Sequence, residues 1–210
     1  MPAVFLVLFA VSRWPGLFPP GFSAAYALAF CAGVYFRGAT AWWLPFGVMV
    51  ATDLGLNFYY QHANPGDDVW SAPNLANLAF NYAAYAVLIL LGRRFRPQTS
   101  FIKLLGGGLM GAVLFYFFTN TASWFFNPFH NPEYTRTLAG WIIALTKGTG
   151  GYPPTWEFFR NTLWSGGLFT ALFAGSAKLT ESAESPADKT AGARDEEEPA
   201  AEEKPEEAKA

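Results

Sequence analysis

Charge is scarce in most of this chain, and cysteine is nearly absent. The 210 residues include 14 Lys and Arg against 16 Asp and Glu, and most of the acidic ones fall after residue 178. What precedes them carries far less charge than the surface of a water-soluble domain requires. The net charge of −2 averages a slightly basic body with an acidic tail, so it gives no reason to expect a nucleic-acid partner. A single cysteine, Cys31, lies in an apolar run and excludes both an intrachain disulfide and a cysteine-based metal centre. The two histidines, His62 and His130, are separated by two apolar spans and supply too few ligands for a metal site. No Ser-His-Asp set or pair of carboxylates stands out, and "KGTGGYPP" at 147–154 is glycine-rich without the spacing of a phosphate loop. It reads as a flexible loop. These absences argue against an enzyme, a metal site and a cofactor.

Aromatic residues are missing altogether from 180–210, which is rich in Glu, Ala, Pro and Lys. Such a segment cannot bury enough apolar surface to fold and is expected to be a disordered, solvated tail. The expected division is therefore a transmembrane helical domain at 1–178 and an acidic cytoplasmic tail at 179–210.

Apolar surface is what the body has in abundance. Aromatics make up 18% of the chain, against 14% charged residues. A membrane-crossing helix needs about 20 mainly apolar residues, fewer when tilted or packed inside protein. Stretches 22–36, 42–59, 74–92, 104–126 and 158–177 approximate that length. A shorter run at 3–11 reads as a sixth helix rather than a signal-peptide core, because no basic region precedes it and no small-residue cleavage site follows. The patch "LAGWIIAL" at 138–145 is too short to span and is expected at the interface or re-entrant. The fold class predicted is an all-α integral membrane bundle of about six transmembrane helices. Arg93, Arg94, Arg96 and Lys103 crowd one connection, which the positive-inside rule assigns to the cytoplasm; alternation then puts both termini there. Arg13, Arg136 and Lys147 fall outside, against the rule.

Polar residues recur at helical spacing within the apolar runs. Asn74, Asn77, Asn81 and Tyr85 form one stripe, and Tyr116, Asn120, Ser123 and Asn127 another, with Trp124 beside it. Asp53 and Asn57 share a helix face, and the last span opens with Glu157, Arg160 and Asn161. Polar groups at membrane depth usually face the bundle interior or a watery cavity. Their convergence on one leaflet predicts an outward-facing ligand site made of Asp53, Asn57, Asn77, Asn81, Asn120, Trp124, Arg160 and Asn161. Arg160 would pair an anionic group, the asparagines would give hydrogen-bond specificity and Trp124 would stack on a ring. The alternative is that the asparagines only bond between helices, Glu157 pairs with Arg160, and the protein is a scaffold whose acidic tail recruits a partner. Ala25, Ala29 and Gly33 form a small-residue stripe that allows close helix approach, either within the chain or against a partner subunit.

The runs "GFSAAYALAFCAGVYF", "VATDLGLNF", "FFTNTASWF" and "FFRNTLWSGGLFTALFAG" resemble a family of uncharacterised bacterial membrane proteins over about residues 12–177. The resemblance implies a bacterial inner-membrane location, with Asp53, Asn120, Arg160 and Asn161 as the motif positions. Phe22, Ser23 and Gly166 depart from the family pattern; at Gly166 an acidic residue is common, and its loss removes a polar group from the site. That family is in turn similar to the substrate-binding subunits of energy-coupling-factor transporters. Those six-helix proteins capture vitamins or metal cations from outside and meet a shared transmembrane partner through small-residue stripes. The likeness implies a small-molecule ligand, a coupling subunit and the lipid bilayer as partners.

Overall fold

The computed structural model describes residues 2–66 and 68–183, and every regular element among them is a helix. In chain order these are α1 (Pro2–Ser12), α2 (Ala25–Tyr35), α3 (Thr40–Ala63), α4 (Ala72–Gly92), α5 (Phe101–Phe126), α6 (Leu138–Thr146) and α7 (Thr155–Ala183). Residues up to Gly175 form one compact unit, and a second unit begins at Ser176. Of that second unit, only the last turns of α7 are described. The acidic tail expected beyond residue 178 lies mostly outside the described residues, and α7 itself continues to Ala183.

Helix ends follow local chemistry. α5 stops at Asn127, whose backbone is left-handed (φ 43°); asparagine tolerates that conformation better than most residues. Its side chain then holds the returning chain, accepting from the Asn131 N–H at 2.8 Å and donating to the Asn131 carbonyl at 2.9 Å. α6 starts where the Thr137 hydroxyl accepts from the Gly140 N–H. α7 begins directly after Pro153 and Pro154, with Glu157 in its first turn, where the helix dipole favours a negative charge.

α2 is the centre of the bundle. Ala25 through Val34 are all buried, as befits a helix that is apolar all round. It packs on α3, α4 and α5. At Gly33 and Gly92 the backbones of α2 and α4 touch: a Cβ added at Gly33 would lie 2.2 Å from the Ile89 carbonyl oxygen, and one at Gly92 would lie 2.1 Å from that of Phe30. Of the two uses expected of the small-residue stripe, packing within the chain is the one seen in this structure. Ala25 and Ala29 are fully buried and Gly33 is packed on α4, so the chain covers this face itself. Small residues also let α5 meet α7, where Gly108 faces Thr170 and Gly166 faces Ala112.

The expectation of six spans is not met. Among the described residues, only α4 and α5 are both long and apolar enough to cross a membrane. With 11 residues each, α1 and α2 are about 16 Å long, roughly half the hydrocarbon thickness. α3 and α7 have the length but not the unbroken apolar composition. α4 and α5 run antiparallel, joined by the short segment that carries Arg93, Arg94 and Arg96.

Candidate functional site

Two cavities flank α4. The larger, of about 440 Å³, lies among α4, α5, the start of α2 and the chain between α5 and α7. α4 contributes Asn77, Asn81 and Tyr85, each one turn from the next, and α5 contributes Tyr116, Asn120 and Ser123 at the same kind of spacing. These belong to the two stripes predicted from the sequence, whose end members Asn74 and Asn127 bond elsewhere and do not line the cavity. Tyr26 of α2 and Phe115 of α5 form the apolar floor, with ring centroids 4.7 Å apart.

The roof is a segment that sequence reasoning missed. Tyr134, Gly148, Thr149, Tyr152 and Pro153 partly cover the cavity from the 127–154 connection. That connection is fastened to α5 at several points. The Tyr116 hydroxyl donates to the Leu145 carbonyl, Trp124 Nε1 donates to the Thr135 carbonyl at 2.7 Å, and Trp141 Nε1 donates to the Thr121 hydroxyl at 3.1 Å. Within it, the Gly150 N–H donates to Glu133 Oε1 at 3.0 Å. This bond holds the Glu133 carboxyl below its ordinary range, helped by the Glu133 backbone N–H. Desolvation and the neighbouring Glu133 charge push the Tyr134 phenol up. Gly148 and Gly151 both take positive φ (73° and 83°), so the bends that bring Thr149 and Tyr152 over the cavity use glycine's freedom.

Hydrogen-bonding capacity is left over inside the larger cavity. Among the described residues, none is hydrogen-bonded to the side chains of Asn77, Asn81 or Ser123. Asn120 uses one N–H on the Tyr116 carbonyl at 2.8 Å, which leaves its Oδ1 and second N–H.

The second cavity, of about 250 Å³, lies on the other side of α4 and takes in Asp53, Asn57, Trp70 and Tyr82. Asn81 and Tyr82, adjacent in sequence, thus face different cavities. Asp53 is buried and fully engaged. Arg13 Nη2 donates to its Oδ1, and the Tyr82 hydroxyl donates to its Oδ2 at 2.7 Å. Arg13 Nη1 also reaches the Thr52 hydroxyl at 3.3 Å. The Arg13–Asp53 contact is an ion pair. No pattern in the sequence links position 13 to position 53, which are 40 residues apart.

The eight residues expected to form one site therefore divide. Asn77, Asn81 and Asn120 come together, while Asp53 and Asn57 belong to the smaller cavity. Trp124 lies outside both linings and anchors the roof. Asn161 is buried and donates to the Pro20 carbonyl at 2.9 Å, tying α7 to the segment before α2. Arg160 is exposed, with its guanidinium 5.4 Å from the centre of the Trp156 ring, and lines neither cavity. The Glu157–Arg160 pair expected at the mouth of this helix does not form. No group of three or more His, Cys, Asp or Glu side chains gathers among the described residues.

The class these features define is a helical protein with two membrane-capable helices and a polar cavity beside them. The model of a family of unknown function (DUF6580) matches residues 1–188, and the chain belongs to that family. No curated protein and no solved structure matches it.

Proposed function

We propose that this protein is a multi-pass subunit of a bacterial cytoplasmic membrane that captures a small molecule from the outer side. In this reading α3 and α7 cross with α4 and α5, their polar faces turned into the bundle. The basic α4–α5 connection lies in the cytoplasm. The observation that carries the proposal is the larger cavity, whose 440 Å³ falls within the range of small-molecule sites and whose asparagines have unused donors and acceptors. Large apolar side chains on the outside of the bundle support the membrane setting: Trp43 is 77% exposed and Ile102 is 80% exposed. Arg37, Arg93, Arg94 and Arg96 cluster at the end opposite the cavity roof, consistent with the positive-inside rule. The bacterial setting and the likeness to energy-coupling-factor substrate-binding subunits rest on the sequence resemblance. Binding without catalysis is favoured because no acidic, basic, Cys or His side chain among the described residues lines the cavity. Any energy for transport would come from a partner subunit.

Native mass spectrometry of the protein purified gently from its own membranes tests this. A co-purifying small molecule that is lost in an Asn81→Leu, Asn120→Leu double variant supports capture. A protein that is empty but bound to other subunits favours a scaffold.

A further inference from the structure

The larger cavity differs from the expected site in one respect that bears on its ligand: no charged side chain among the described residues lines it. Asp53 lines the smaller cavity instead and is paired with Arg13. Arg160 lies over Trp156, and Glu133, which does not line the cavity, uses its Oε1 on the Gly150 N–H while its Oε2 is buried without a hydrogen-bond partner among the described residues. A charged ligand entering this cavity would lose hydration and meet no counter-charge, and burying an ion without a partner is strongly unfavourable. A neutral polar molecule faces no such barrier if its own donors and acceptors are matched.

The free groups specify more than neutrality. Asn77 and Asn81 each offer a carbonyl and an amide nitrogen, and Asn120 retains its Oδ1. Acceptors and donors therefore stand side by side across the gap between α4 and α5. Beside them the rings of Tyr26 and Tyr116 provide flat apolar surface. We infer that the ligand is an uncharged ring compound carrying a donor–acceptor edge of the amide kind. This inference rests on the capture reading and narrows it. It also replaces the anionic ligand that Arg160 implied.

Three probes of one shape separate the possibilities: nicotinamide, the carboxylate nicotinate and the ammonium 3-(aminomethyl)pyridine. They are titrated against the full chain in phospholipid nanodiscs, alongside identification of any molecule that co-purifies. Nicotinamide is expected to bind at least tenfold more tightly than either charged analogue. Asn81→Asp should shift preference toward the ammonium probe by tenfold or more. Asn120→Leu should weaken nicotinamide while leaving the folded protein intact by circular dichroism. A co-purified molecule, where one is found, should be uncharged at pH 7. If nicotinate binds best, or the co-purified molecule is a carboxylate or phosphate, the neutral ligand class is overturned while capture stands. If no molecule co-purifies and none of the three probes binds, capture itself fails and the inference with it.

Discussion

Replacing Arg13 by methionine should destabilise the bundle by about 3–5 kcal/mol, the usual cost of leaving one member of a buried ion pair alone. The side chains are 19% and 10% exposed for Arg13 and Asp53, so the pair is largely removed from water. At a charge-centre separation of about 4 Å and an effective dielectric constant near 20, the mutual attraction is about 4 kcal/mol, of the same order. Methionine approximates the length of the arginine stem but leaves Asp53 with only the Tyr82 hydroxyl. Asp53→Leu should cost less, about 2–3 kcal/mol, because the longer Arg13 side chain can extend toward water. The double variant replaces both charges by apolar groups and should fall within about 1 kcal/mol of the starting protein. Summed, the single variants then exceed the double by several kcal/mol, measured by reversible unfolding of the four proteins in mixed micelles. Additivity within about 0.5 kcal/mol would refute the reasoning and mark the pair as an ordinary screened surface contact. Loss of ligand in Asp53→Leu without loss of stability would instead give Asp53 the binding role the sequence first implied.

Three other substitutions follow from the same geometry. Gly92→Ala drives a methyl group into the Phe30 carbonyl of α2, and backbone cannot yield as a side-chain tip can. A loss near the upper end of about 1–3 kcal/mol is expected in the same unfolding assay. Arg160→Ala removes one exposed cation–π contact, so it should cost about 0.5–1 kcal/mol and leave occupancy of the cavity unchanged in native mass spectrometry. Glu133, whose carboxyl is held below its ordinary range by the Gly150 N–H, stabilises the roof above the unfolded-state value of about 4.3. That contribution is lost as pH falls through the lower folded-state value. Hydrogen exchange at the Gly150 amide should therefore stay protected from neutral pH to about pH 5 once intrinsic rates are corrected. It should open only in stronger acid, and Glu133→Gln should remove that dependence.

What was legible in the sequence is what a period of 3.6 encodes. Asn77, Asn81 and Tyr85 share a face because one turn separates each from the next, and the same rule groups Tyr116, Asn120 and Ser123. Those stripes became the walls of the larger cavity. Periodicity says which residues share a face, but not which neighbour that face meets. Asp53 and Asn57 are correctly paired on α3, yet the wall they meet is the Tyr82 side of α4. Likewise Ala25, Ala29 and Gly33 announce a close helix approach, and only packing reveals that α4 makes it.

The roof was illegible for a different reason. Its contacts include single hydrogen bonds from side chains of α5 to carbonyls of the 127–154 connection, such as Trp124 to Thr135 and Tyr116 to Leu145 of α6, and these carry no period. Positive-φ glycines at 148 and 151 permit the turns but do not choose their direction. Yet this segment changes what the asparagines can do. Without a roof, Asn81 and Asn120 would line an open groove, where water competes for every donor and acceptor. Beside Tyr134 and Tyr152 a bound molecule would be partly covered, and the hydrogen bonds it formed on that side would meet less competition from water. The selectivity expected of the cavity therefore depends jointly on two stripes written in the helix period and on a strap that is not. Loosening the strap should weaken binding even though every asparagine remains in place.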